Sequence, residues 1–288
     1  MFDFDILDSK TLLGESGFYL DRTNEIVFLD LIKPSIIFYS IDTKILTKLN
    51  LKLKKPLGNV YPLNDNNFII SSYEGMHIYN RKKNALKYFN DIRKINELQN
   101  ISYNDGTISK NKLWIGLSHI KESKNLGYFG YLQNKKFVTI DKGFKVSNGP
   151  AIDVKKGYLY FSDSSKSSIY QYNLKNLKKK TLIKFKKNQG FPDGITLDNK
   201  DGLWVAHWAG GQVSRINLNS KKIDFNIKLP ALNITSVTFV GKKLNHLFIT
   251  TAKIETSKTH LKSYKYSGSS FIIKTEYTGL KIPYYNMR

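Results

Sequence analysis

Apolar and polar positions alternate in short bursts along this chain. Runs such as Asn24-Glu25-Ile26-Val27-Phe28-Leu29-Asp30, Asn67-Phe68-Ile69-Ile70-Ser71, Lys112-Leu113-Trp114-Ile115-Gly116 and Leu247-Phe248-Ile249-Thr250 are β-branched and aromatic, bounded by turn formers, and too short for helices. The fullest example begins at Gly190-Phe191-Pro192-Asp193-Gly194-Ile195-Thr196-Leu197. It continues through the turn Asn199-Lys200-Asp201-Gly202 into Leu203-Trp204-Val205-Ala206-His207-Trp208, then through Gly210-Gly211 into Gln212-Val213-Ser214-Arg215-Ile216. That pattern predicts strands joined by tight Asn/Asp/Gly turns. It recurs upstream from Ser147-Asn148-Gly149-Pro150 through Tyr158–Asp163 to Ser168–Tyr172.

Equivalent starting points fall at residues 14, 58, 104, 148, 193 and 235, so the repeat is 42 to 46 residues long. This is the size of a four-stranded propeller blade. One such unit cannot bury its own apolar faces, so the units must stack and close a ring. The prediction is an all-β, six-bladed β-propeller of four-stranded blades forming one domain over residues 1–288. The alternating segment Phe2 to Leu7 is expected to supply the outermost strand of the last blade and close the ring. The rest of that blade is predicted at Ser236 to Val240, His246 to Ala252 and Ser270 to Thr278. The polar segment Lys253 to Ser267 reads as a long loop, and Tyr88 to Leu98 is the one stretch open to a helical reading.

In a ring, equivalent residues from distant units converge at one mouth of the central channel. Glu15, Asn104, Asn148 and Asp193 occupy such places and would face one another. Taken singly, Asn-Gly and Asp-Gly are ordinary turn formers. Together, Glu15, Asn148 and Asp193 offer hard oxygen donors with a combined charge of −2, suited to one divalent cation, Ca²⁺ first, with Zn²⁺, Mn²⁺ or Mg²⁺ as alternatives.

Composition narrows the rest. The chain has no cysteine, which excludes disulfides and thiolate metal sites. The net charge of +23 is carried mainly by lysine. Its densest runs, Lys52 to Lys55 and Lys175 to Lys187, lie where outer strands and loops belong, and no nucleic-acid motif accompanies them. The expectation is therefore a solvated surface, with no nucleic-acid partner. No run is long or apolar enough for a membrane span, and the first ten residues hold Asp3, Asp5 and Asp8 where a secretory signal would be basic and then apolar. A cytoplasmic monomer or weak dimer is expected.

The ordered set Gly14-Glu15-Ser16, Asn104-Asp105-Gly106, Val146-Ser147-Asn148-Gly149, Gly190-Phe191-Pro192-Asp193-Gly194, Leu203-Trp204-Val205-Ala206 and Thr235-Ser236-Val237 resembles the SMP-30/gluconolactonase/luciferin-regenerating family, which includes regucalcin. The resemblance runs from Gly14 to about Pro283. It implies a single divalent metal held by Glu15, Asn148 and Asp193, with Asp193 as general base and Asn104 contacting substrate. The implied reaction is hydrolysis of a small lactone, sugar-type or related, to its hydroxy acid. The metal would polarise the carbonyl, and Asp193 or a metal-bound hydroxide would activate water. The alternative is a non-catalytic calcium-binding propeller serving as sensor or scaffold.

The chain also departs from the family pattern. Ser102 stands where many sugar lactonases carry Arg, so a bidentate anchor for substrate hydroxyls is missing and a smaller or less polar lactone is predicted. Glu122 falls near a family substrate-binding glutamate, and His119 and His207 follow inner strands and are candidates to line the pocket. Trp114 and Trp208 are expected to wedge between blades. Ser162-Asp163-Ser164 lacks the Gly-x-Ser-x-Gly setting of a nucleophile.

Overall fold

The chain's first strand, β1 (Phe4–Leu7), belongs to its last sheet. The computed structural model describes residues 3–95 and 98–287, so Phe2 lies outside the described residues. Blade 1 holds β2 (Gly14–Leu20), β3 (Glu25–Asp30), β4 (Ser35–Ser40) and β5 (Leu46–Asn50). Blade 2 holds β6 (Leu57–Pro62), β7 (Asn67–Ser72), β8 (Gly75–Asn80) and β9 (Ala85–Asn90). Blade 3 holds β10 (Ile101–Ser109), β11 (Lys112–His119), β12 (Gly127–Gln133) and β13 (Lys136–Phe144). Blade 4 holds β14 (Ser147–Asp153), β15 (Tyr158–Asp163), β16 (Ser168–Asn173) and β17 (Lys179–Lys184). Blade 5 holds β18 (Phe191–Leu197), β19 (Gly202–Trp208), β20 (Gln212–Asn217) and β21 (Lys222–Lys228). Blade 6 holds β22 (Asn233–Val240), β23 (His246–Ala252), β24 (Ser270–Lys274) and, outermost, β1. Phe4 pairs with Ile273 and Leu7 with Ser270, so the N-terminal strand does close the ring.

The sequence pattern follows from the stacking. Second strands are covered on both faces by neighbouring blades, which is why Ile26, Val27, Phe28 and Leu29 run apolar without alternation and are all fully buried. Burying each such side chain stabilises the fold by about 1.5–3 kcal/mol. Outermost strands have one wet face and alternate, as β21 does. Exposed lysines on β17 also discourage edge-to-edge pairing with other chains. Among the described residues, helix is confined to short pieces. One turn, α1 (Ile92–Ile95), follows β9, and α2 (Lys258–Ser263) lies inside the segment expected to be all loop, capped by Ser257, whose Oγ accepts from the His260 N–H. No helix of the described residues is long and apolar enough to cross a membrane.

Every innermost strand breaks its pairing with the second strand at the same level. The interruptions lie between Glu15 and Phe18, Leu57 and Val60, Tyr103 and Gly106, Asn148 and Ala151, Pro192 and Ile195, and Ile234 and Ser236. These β-bulges free residues from the ladder. Side chains and amides there bond sideways to the next blade: Ser16 Oγ donates to Gly58 O at 3.2 Å, Asn59 Nδ2 to Gly106 O at 2.9 Å, and Thr235 Oγ1 to Gly14 O at 2.6 Å. The residues expected on blade-entry loops therefore sit within the inner strands.

The channel ends in two unlike mouths. At one, the segment after β24 crosses the ring. Leu280 N–H donates to Leu197 O at 3.1 Å, Tyr285 N–H to Pro62 O at 2.9 Å, and the Tyr284 ring meets Phe18 edge-on. Leu280 and Pro283 wall a cavity of about 350 Å³ there, with Tyr61, Asp105 and Ile195. The other mouth opens into the candidate site.

Candidate functional site

Glu15, Asn104, Asn148 and Asp193 all line one cavity of about 280 Å³. They come from β2, β10, β14 and β18, and each borders or occupies the break in its strand. Asn104 and Asp193 fall inside the break, unpaired, whereas Glu15 and Asn148 are the last paired residues before it, opposite Leu29 and Ser162. At Gly149 the backbone has φ 74°, and a Cβ would lie 2.9 Å from Ile195, so the turn just after Asn148 requires glycine.

A chain of amide and hydroxyl contacts fixes the geometry. Asn104 Nδ2 donates to Ser147 O at 2.7 Å and to Asn148 Oδ1 at 2.8 Å. Asn148 Nδ2 donates to Ser164 Oγ at 2.9 Å, and Ser164 Oγ donates to Pro192 O at 2.6 Å, beside Asp193. Ser162 Oγ donates to Asp193 O at 2.9 Å. Ser162 and Ser164 thus tie blade 4 to blade 5, with Asp163 capping the turn at Lys166 N, and they form no nucleophile–base arrangement.

The electrostatics leave two carboxylates without a counter-charge. Glu15 and Asp193 are buried, at 8% and 5% exposure, and neither has an ion-pair partner among the described residues. Burial pushes the Asp193 carboxyl well above the usual carboxylate range, and Glu15, Asp105 and Glu122 push it further. Burial, then Asp105, does the same to Glu15, against one hydrogen bond from Ser16 N–H at 3.0 Å. Asp105 lies on the channel floor and is pushed up to about 7 by burial, opposed by hydrogen bonds from Gly106, Gly149 and Asn59.

Among the described residues no three His, Cys, Asp or Glu side chains gather into a ligand cage. This set instead supplies two carboxylates and one amide oxygen. Two desolvated carboxylates without a counter-ion, beside an anchored amide, fit a hard divalent cation completed by water.

The other expected site residues separate. Glu122 lines the mouth, its N–H donating to His119 O at 2.7 Å. His119 itself is buried and outside the lining; its Nδ1 accepts from Ser123 N–H at 3.2 Å, so it holds the loop that carries Glu122. Ser102 is also outside the lining, its Oγ directed to Ser118 O at 3.5 Å. His207 is fully buried against Phe185, ring centroids 4.8 Å apart, and burial pushes it down to about 4.

Trp114 does pack between blades: it shares a buried cluster with Leu159 and Phe161 of blade 4, while its ring lies 4.9 Å from Tyr131 and 5.9 Å from Phe129 of its own blade. Trp208 does not: it lines the mouth. Phe191 and Glu255 are among the lining residues that carried no expected role. Phe191 was legible only as the neighbour of Asp193, and Glu255 lay in the segment read as loop.

Fold and site together define a six-bladed β-propeller with buried, uncompensated oxygen donors gathered at one mouth. The family model described as SMP-30/Gluconolactonase/LRE-like region matches residues 13–253, and the chain belongs to this family. An uncharacterized protein of Sulfolobus acidocaldarius is 34% identical over 157 residues, 52% of this chain and 57% of that protein. The protein of Bacillus subtilis named "Putative sugar lactone lactonase YvrE" is 22% identical over 279 residues, 94% of either chain. The crystal structure of the calcium-binding protein regucalcin from Agrobacterium tumefaciens superposes with a TM-score of 0.91 at 18% identity, covering 99% of this chain and 98% of that one.

Proposed function

We propose that this chain is a divalent-metal-dependent lactone hydrolase in which Glu15, Asn148 and Asp193 hold the cation and Asp193 is the general base. The observation that carries this reading is the pair of buried carboxylates, Glu15 and Asp193, facing one pocket with the Asn148 amide and no basic side chain among its lining. Family membership and the relative named as a sugar lactone lactonase support the reaction class. The oxygen-only donor set favours Ca²⁺.

When bound, the cation supplies a Lewis acid for the lactone carbonyl and for the charge that develops on its oxygen. The chain's own residues do the rest. Asn104 pins the Asn148 amide and borders the space where the ring sits. Asp193 accepts a proton from water as the water oxygen bonds to the carbonyl carbon. The ring C–O bond then breaks, and the proton passes to the departing alkoxide, leaving a hydroxy acid. Glu122 contacts substrate from the rim, while His119 acts on it only through the loop. Hydrolysis of a lactone panel with and without chelator tests the reading. The expected result is turnover lost on chelation and restored by Ca²⁺, and chelator-insensitive turnover would refute it.

A further inference from the structure

The pocket has few hydrogen-bond donors to spare and much apolar wall. Both hydrogens of Asn104 Nδ2 are committed, to Ser147 O and Asn148 Oδ1. Ser164 Oγ donates to Pro192 O and Ser165 Oγ to Asp163 Oδ1. Asn148 Nδ2 already serves Ser164. Among the described residues no lysine, arginine or histidine lines the cavity, although the chain holds 46 lysines and arginines. Leu13, Leu31, Val146, Phe191, Trp208 and Ile254 supply the remaining wall, and Phe191 at the mouth is 37% exposed. Hydroxyls of a sugar ring set against this apolar wall would lose water contacts, and only those reaching a carboxylate would recover one.

The charge argument points the same way. Glu122 and Glu255 enter the mouth from blades 3 and 6, both on left-handed backbone, at φ 50° and 55°. Partial desolvation and the facing charge of Glu255 raise the Glu122 carboxyl. A divalent cation would offset Glu15 and Asp193, leaving the two rim carboxylates unbalanced. An anionic ligand entering between them meets like charge in a partly desolvated space.

We infer that the substrate is an uncharged lactone bearing an aliphatic arm. Its ring lies at Glu15, Asn148 and Asp193, its arm lies on Phe191 and Trp208, and Glu122 and Glu255 turn anionic lactones away. This rests on the lactone-hydrolase reading above and names its substrate class.

The test compares kcat/KM of the Ca²⁺-loaded protein on γ-nonalactone, γ-valerolactone, D-glucono-δ-lactone and D-glucaro-1,4-lactone, whose carboxylate makes it anionic. γ-Nonalactone is expected to lead gluconolactone by at least about tenfold, with glucarolactone last. Phe191→Ala should shrink the nonalactone-to-valerolactone ratio by roughly tenfold, the worth of a lost apolar contact. The double variant Glu122→Gln, Glu255→Gln should raise the glucarolactone-to-gluconolactone ratio. A binding readout runs beside these: 2-heptylcyclopentanone, which cannot be hydrolysed, is titrated against tryptophan fluorescence, with Trp208→Phe removing the response. A protein that binds the ketone through Trp208 but hydrolyses nothing overturns the lactonase reading and leaves the pocket class standing. A protein that prefers gluconolactone or glucarolactone overturns the substrate class and leaves the lactonase reading standing. If it neither binds the ketone nor hydrolyses any lactone, both fall.

Discussion

Asp105 Oδ2 accepts a hydrogen bond from the Gly149 N–H at 3.1 Å, so a carboxylate of blade 3 holds the inner strand of blade 4 one residue beyond Asn148. Its other oxygen accepts from Asn59 Nδ2 of blade 2 at 2.9 Å and from the Gly106 N–H at 2.7 Å. One half-buried side chain thus joins three blades next to the strand breaks that carry the proposed ligands. The family-like motif Asn104-Asp105-Gly106 pointed to Asn104, and the structure gives its neighbour an equal share of the architecture.

Asp105 should leave a signature in the metal-free protein. Burial pushes its carboxyl in the folded protein up to about 7, from 3.8 for a free aspartate. The folded state therefore binds more protons than the unfolded state between those pH values, and stability falls as pH rises through that window. Asp105→Asn removes this dependence. In chelator, its Tm relative to wild type should climb between pH 5 and 7.5, at about 2–4 °C per kcal/mol for domains of this order. Calorimetry at both pH values checks it, and a constant difference would refute the assignment.

Metal binding should release protons. Glu15 and Asp193 are both raised by burial, Glu15 further by Asp105 and Asp193 further by Glu15, and a cation requires them ionised. Calorimetric titration with Ca²⁺ in buffers of different ionisation enthalpy should show that release, and affinity should weaken from pH 8 to pH 6. Asp193→Ala should abolish tight binding. An unchanged affinity in that variant ends the claim that Asp193 is a ligand.

Base and ligand roles can be separated at the same residue. Asp193→Asn keeps an oxygen near the cation but removes the proton acceptor, so the rate at saturating metal should drop by roughly 10²–10⁴. Asn104→Ala should keep a metal-induced thermal shift while losing turnover. A wild type that shifts with metal yet hydrolyses nothing on a broad lactone panel favours a calcium-binding scaffold.

Ser102 occupies the place of a missing anchor, two residues before Asn104. Ser102→Arg should raise kcat/KM on gluconolactone relative to γ-valerolactone by adding donors for hydroxyls. If the wild type already hydrolyses gluconolactone at about 10⁴ M⁻¹s⁻¹ or more, the role assigned to Ser102 is wrong.

The six blades were legible because each repeat copies the same inner-strand pattern, and the ring closure because Phe4 to Leu7 alternates like an outer strand. The location of the ligands inside strands was not legible. A β-bulge and a turn recruit the same Asn-Gly and Asp-Gly pairs, and only pairing on both sides tells them apart. The helix at Lys258–Ser263 was missed because it lacks an apolar stripe and depends on the Ser257 cap. Trp208 was misplaced because alternation along β19 cannot say that its last residue, paired with Phe191, reaches the mouth.

The pairing of β1 with β24 has a consequence for how the protein is made. On a ribosome, Phe4 to Leu7 emerges among the first residues but has no sheet to join until Ser270 to Lys274 has left the exit tunnel. The earlier blades can assemble in turn as they appear, while blade 6 must wait for both ends of the ring. Until then β24 has an open edge, and a second nascent chain on the same message could offer it the wrong strand. The correct partner, already emerged on the same chain, is intramolecular and therefore present at high effective concentration once β24 is free.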